Sequence, residues 1–219
     1  METTPYILKE FKAFTLHTTV EEVKLFFNAT TFNHFPIVEN DKLIGLISET
    51  EIQGLDENDK EIGKYQYLFA YFLIDEESNI LEILKEFASN QSTILPVLNS
   101  EKEYIGYFDL IDILYIYNET SFFKDEGIVL LLEKEAKDYS ISEISQIVES
   151  NKGKVSGIFV IEANGNSAKF MVKFNAQDIN EIIQSFRRYE YQVLSNHIED
   201  YFLKDLKDRS NYLQKYLNI

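Results

Sequence analysis

Apolar and polar positions alternate along the first half of the chain in a pattern that occurs twice. Val20, Val23, Phe26 and Phe27 fall at the 3–4 spacing of a helix face, and Thr18 or Thr19 with Glu22 has the form of a capping box. Phe35-Pro36-Ile37-Val38 predicts a strand that opens near its proline, where a missing N–H does least harm. Glu39–Lys42 is a polar turn, Leu43–Ile47 a short buried strand, and Ser48 stands where it would cap a helix from Glu49. The same order returns as Ile80, Ile83 and Phe87 on a helix capped from Ser78, then Leu95-Pro96-Val97-Leu98, a turn over Asn99–Glu103, and Tyr104–Phe108 ending at Asp109. The offset is 60 at the prolines (36 to 96) and 61 at the glycines (45 to 106), so the second hairpin carries one extra residue. A helix, a hairpin and a second helix start that keep one period define a repeat.

From Asp125 the rhythm changes. Ile128–Leu132 predicts a continuous buried strand, and Ser140 or Ser142 starts a helix with Ile141, Ile144, Ile147 and Val148 on one face. Lys154–Ile161 and Ala168–Phe174 alternate as strands about Asn164-Gly165, a type I′ hairpin signal. Gln177–Arg188 is a second helix and Tyr191–Leu194 a last strand. The order βαββαβ predicts a four-stranded antiparallel sheet with helices on one face. Residues 197–219 place Ile198, Tyr201, Phe202 and Leu206 at helical spacing, which predicts a C-terminal helical tail that packs on its own dimer or docks a partner protein.

Composition adds limits. The 17 Phe and 14 Tyr supply enough apolar area for folded domains, and the absence of Cys removes disulfides and thiolate chemistry. A net charge of −16 argues against nucleic acid, since phosphate contacts need clustered Lys and Arg. Residues 1–118 hold 8 Lys and no Arg against 21 acidic groups, a net of −13, and the remainder holds 13 basic and 16 acidic groups, a net of −3. With no basic start leading into an apolar run, and with Tyr65–Ile74 too short to span a bilayer, a cytoplasmic protein without membrane attachment is expected.

The repeated apolar-Pro strand followed by Gly-x-x-Ser/Asp-x-x-Glu/Asp resembles the CBS domain. The two copies imply a tandem CBS pair over 1–118 (about 5–62 and 63–118), each a β-α-β-β-α unit, with clefts between the units that in some members take adenosine compounds. The segment 119–196 resembles the ACT domain, a ferredoxin-like amino-acid-sensing fold, through its element order. Its Lys137-Asp138-Tyr139-Ser140-Ile141 lacks the glycine or proline usual at an ACT ligand site. The whole layout is therefore α+β, similar to that of the acetoin-utilisation regulator family.

What the resemblance implies for the clefts can be carried over residue by residue. Ser48 and Glu51 would form one site and Asp109 and Asp112 the other, with the base against Phe35-Pro36 or Leu95-Pro96. An acceptor-only carboxylate suits both hydroxyls of a ribose, and a capped helix start suits a phosphate. Glu51 is one methylene longer than the usual Asp. Asp109 puts a charge where a hydroxyl is usual, at about 1 kcal/mol against a phosphate 4 Å away in water and about 4 kcal/mol at an effective dielectric of 20. AMP, ATP or S-adenosylmethionine are the candidate ligands, with the uncharged or cationic ones better tolerated beside Asp109.

No metal-ligand spacing links His17, His34 and His197, and no Walker loop, GxGxxG, nucleophile elbow or HExxH occurs. The reading is a non-catalytic, homodimeric regulatory protein that binds an adenosine-type ligand. The alternative is a ligand-free structural dimer or adaptor.

Overall fold

The computed structural model describes residues 3–55, 60–195 and 212. The proposed tail, 197–219, lies outside the described residues apart from Tyr212. The chain divides into two compact units, Met1–Asn118 and Glu119–Ile219.

In the first unit the order is α1 (Val20–Ala29), β1 (His34–Glu39), β2 (Lys42–Ser48) and α2 (Glu49–Gln53). The second copy is β3 (Ile74–Asp75), α3 (Ile80–Asn90), β4 (Ile94–Leu98), β5 (Tyr104–Asp109) and α4 (Leu110–Asn118), so the expected β-α-β-β-α order is complete only there, the first copy having an isolated Phe14–Ile37 bridge in place of a leading strand. Thr19 caps α1 in a complete capping box with Glu22. In the second copy the cap is Asn79, boxed with Glu82, and not Ser78. Asn79 wins because its side-chain oxygen reaches both the Leu81 and Glu82 N–H groups, at 3.0 and 3.1 Å.

Pro36 is the third residue of β1, not its first. The Pro36 carbonyl accepts from Phe14 N at 2.9 Å, so the proline nitrogen faces that same edge, where pairing is limited to one bridge between Phe14 and Ile37. Pro96 sits likewise, because β3 pairs with β4 only at Val97 and Leu98. No ladder bond is lost at either site.

The repeats exchange their leading segments. Leu8 bridges Tyr107 of the second copy, and Ala70 bridges Leu46 of the first. These crossings account for the two repeat glycines. A Cβ on Gly45 would stand 3.0 Å from the Ala70 carbonyl oxygen, and one on Gly106 would stand 2.4 Å from that of Leu8, with φ of +142° besides. Two clusters make the core. One is centred on α1, β1 and β2 and takes in Ile94 and Tyr107; the other is centred on α3, β4 and β5.

The second unit runs α5 (Ser121–Lys124), β6 (Ile128–Glu135), α6 (Ile141–Ser150), β7 (Lys154–Asn164), β8 (Ser167–Asn175), α7 (Ile179–Arg188) and β9 (Gln192–Val193). Its sheet is antiparallel with strand order β7-β8-β6-β9. β6 is not buried along its length: Leu130 and Leu132 are enclosed while Val129 is exposed, because α6 and α7 pack against one sheet face only. The hairpin pairs Asn164 with Ser167, leaving Gly165 and Asn166 as its two loop residues. Gly165 alone has positive φ, +54°, which is the pattern of a II′ turn in place of the expected I′.

Candidate functional site at the seam of the repeats

Asn33 and Thr93 occupy equivalent places just before the two hairpins. The Asn33 side-chain oxygen accepts from Thr93 N (2.8 Å), and the Thr93 hydroxyl accepts from Asn33 N (3.0 Å). Their carbonyls then receive Glu49 N and Leu110 N, each at 2.9 Å. One polar pair on the pseudo-twofold axis therefore fixes where both α2 and α4 begin.

Ser48 caps α2 through Glu51 N (3.1 Å). Asp109 does the same for α4, accepting from Ile111 N (2.7 Å) and Asp112 N (3.3 Å). A carboxylate also complements the positive end of the helix dipole. Glu51 and Asp112, one turn in, are exposed, and neither carboxylate is engaged by a side chain among the described residues.

The remaining sequence-predicted residues are enclosed. Phe35 is 0% exposed, ringed by Phe14, Phe26, Phe32 and Tyr107 at centroid distances of 4.3–5.8 Å. Pro36 and Pro96 are buried in their strands. The structure thus brings Ser48 together with Glu51, and Asp109 with Asp112, while Phe35, Pro36 and Pro96 offer no open side-chain surface. None of the seven lines the cavities of about 520, 500 and 480 Å³ in this unit.

Tyr107 was not singled out by the sequence. It lies inside the Gly106–Asp112 motif, its ring packs on Phe32 and Phe35, and its hydroxyl is enclosed without a well-formed hydrogen bond. Burial pushes this phenol up, opposed by the Phe11 main chain, and the charges of Glu10, Asp109 and Asp112 add to the rise. The second half-site is therefore a phenol beside three acids. His34, the first residue of β1, is held below its ordinary value by burial, and its ring meets Phe72 edge-on at 5.5 Å. The repeat offset, applied to Asn33 and Thr93, was the one sequence signal that could have found the axis pair.

Among the described residues no group of three or more His, Asp or Glu could hold a metal ion, and no helix is long and apolar enough to cross a membrane. The CBS domain model matches residues 6–55 and 70–119. The chain carries a tandem CBS pair. An uncharacterized protein of Methanocaldococcus jannaschii is 27% identical over 143 residues, 61% of this chain and 54% of that protein. The chain thus spans about half the length of this curated relative. Among solved structures, a CBS domain pair/ACT domain protein from Thermotoga maritima is 21% identical with a TM-score of 0.48, covering 54% of this chain and 98% of the other. The CBS domains of a transcriptional regulator from Streptococcus pneumoniae are 14% identical (52% and 98%, TM-score 0.46). CBSX2 in complex with AMP is 14% identical (53% and 95%, TM-score 0.45).

Proposed function

We propose that this chain is a non-catalytic, cytoplasmic regulatory protein whose CBS pair takes an adenosine-type ligand at the seam of the repeats. The observation that carries the reading is the placement of Glu51 and Asp112. Both carboxylates are unengaged by other side chains, both sit one turn into a capped helix, and both helices start from the Asn33–Thr93 pair. A ribose offers two hydroxyl donors, and an open carboxylate offers two acceptors. Beside Asp109, Asp112 and Glu10 a phosphate meets like charge, so this half-site favours a neutral adenosine or the cationic S-adenosylmethionine over AMP or ATP. Ser48 leaves the Glu51 half-site open to a phosphate. A ligand that differs in affinity between two packings of the repeats would shift their balance. The second unit is read as ACT-like from its βαββαβ order, with pairing between copies as its use.

A second reading is a ligand-free structural dimer or adaptor that docks a partner protein. The burial of Phe35 under four rings favours it, since that strand edge is where a base would lie. Isothermal titration and thermal shift with adenosine, AMP, ATP and S-adenosylmethionine separate the two. Binding at 100 times Kd should stabilise the first unit by about 2.7 kcal/mol. Asp112→Ala should abolish the response to S-adenosylmethionine without lowering the melting temperature of the free protein. Silence across the panel, with the protein folded, favours the adaptor.

A further inference from the structure

Between the two repeats, at the hairpin-turn end and apart from the Asn33–Thr93 pair and the starts of α2 and α4, lies a cavity of about 500 Å³ lined by the segment 9–15, the β1–β2 turn and the start of β5. We propose that it is a second ligand site, for a small organic anion: a carboxylate carried on an aliphatic or aromatic body.

Three features point to that chemistry. The walls are largely apolar, with Phe11, Ala13, Val38 and Ile105 among the lining residues. Lys9 and Lys12 both line it, and neither forms an ion pair among the described residues. In a half-chain with only 8 Lys, no Arg and 21 acidic groups, two lysines without an ion pair beside one apolar hollow stand against the local charge. Tyr104 completes the wall, and its hydroxyl is enclosed without a hydrogen-bond partner.

The walls are held in place without a ligand. Asn40 and Asp41 both adopt left-handed backbone (φ of 49° and 62°), and Tyr104 N donates to the Asp41 carbonyl at 2.7 Å. Gly106, which also lines the cavity, is fixed by the crossing of Leu8. A preformed apolar hollow with a few polar groups at one end is the usual form of a small-molecule site. Asp41, also among the lining residues, disfavours a second negative charge on the ligand, which sets a monocarboxylate above a phosphate ester.

The site is tested by titrating the full chain with phenylacetate and, as the uncharged counterpart, phenylacetamide. Phenylacetate should bind saturably at one site per chain, with the amide at least about tenfold weaker and the affinity falling as salt is raised. Lys9→Gln with Lys12→Gln should weaken phenylacetate about tenfold or more, with a melting temperature near that of the parent. Asp112→Ala should leave phenylacetate binding unchanged, so failure here and failure at the adenosine site are read separately. Absence of saturable phenylacetate binding, equal binding of acid and amide, or full affinity in the double lysine variant would overturn the proposal.

Discussion

Asn33 and Thr93 hydrogen-bond to each other across 60 residues of sequence, and each occupies in its own repeat the place the other occupies in the second. The contact is reciprocal: each main-chain N–H donates to the other's side-chain oxygen. Further bonds run from the Thr93 hydroxyl to the same Asn33 oxygen (3.1 Å) and from the Asn33 amide to the Gln91 carbonyl (2.7 Å).

Removing one member leaves the other's half-buried N–H unpaired. Asn33→Ala and Thr93→Val should each destabilise the first unit by about 1–3 kcal/mol, read from chemical denaturation. The double variant should cost less than the two combined, because the second change removes a partner already stranded. Strict additivity would mean that the two side chains act independently.

The repeat glycines test the exchanged leading segments. Both Gly45→Ala and Gly106→Ala push a Cβ toward a crossing carbonyl, but only Gly106 also needs a backbone conformation that L residues avoid. Gly106→Ala should cost the first unit about 2–4 kcal/mol and Gly45→Ala clearly less, seen as two different falls in the denaturation midpoint. Equal costs would show that the close approach alone constrains these positions.

Much of the CBS pair was legible because its elements are local. Thr19 with Glu22 announces a helix start within four residues, and the hairpins announce themselves by alternation around polar turns. What the sequence hid depends on contacts between repeats. Leu8 and Ala70 sit in no periodic run, so nothing local assigns them to the partner repeat's strand. Tyr107 looks like an ordinary strand residue, yet it reaches into the other repeat's core. The seam motif yielded its caps, Ser48 and Asp109, from spacing alone, since capping is a local bond. Phe35 was expected at a ligand edge, and its burial follows from Phe14, Phe26, Phe32 and Tyr107, four rings whose convergence no spacing rule foretells. In β6 the run of five apolar residues obscured the one-sided packing that the fold imposes.

Acid should weaken the second unit through Glu143. Its carboxylate takes a 2.7 Å bond from Lys134, whose side chain is only 10% exposed and whose ammonium also lies 4.3 Å over the Tyr191 ring. The Lys134 bond holds Glu143 below the usual carboxylate range, against the opposing effect of burial. A carboxylate depressed in the folded state stabilises it above the unfolded value, near 4.3, and that contribution is lost as pH falls through the folded value. Glu143→Gln should therefore lose about 1–3 kcal/mol at neutral pH and lose less on acidification than the parent does. Parallel pH profiles of melting temperature for the two proteins would remove Glu143 as the cause.

On the sheet face of the second unit opposite α6 and α7, Lys173 is 9% exposed although it carries a charge. Its ammonium donates to the Phe122 and Asp125 carbonyls and lies 5.6 Å from the Phe122 ring centroid. Those bonds tie the short helix α5 onto β8, and Phe122 in turn covers Gly157 of β7, where a Cβ would stand 2.5 Å from its ring. Two independent changes should release the same contact. Lys173→Met keeps the aliphatic stem but leaves two carbonyls without their donor, and Gly157→Ala drives the ring away while keeping the lysine. Each should cost the second unit about 1–3 kcal/mol. In both, hydrogen exchange should quicken in 121–125 ahead of the β6–β8 ladder, because the ladder's own bonds remain intact. If only Lys173→Met loosens that stretch, the tie is electrostatic and Phe122 is incidental; if only Gly157→Ala does, ring packing holds the helix and the buried ammonium merely rests there.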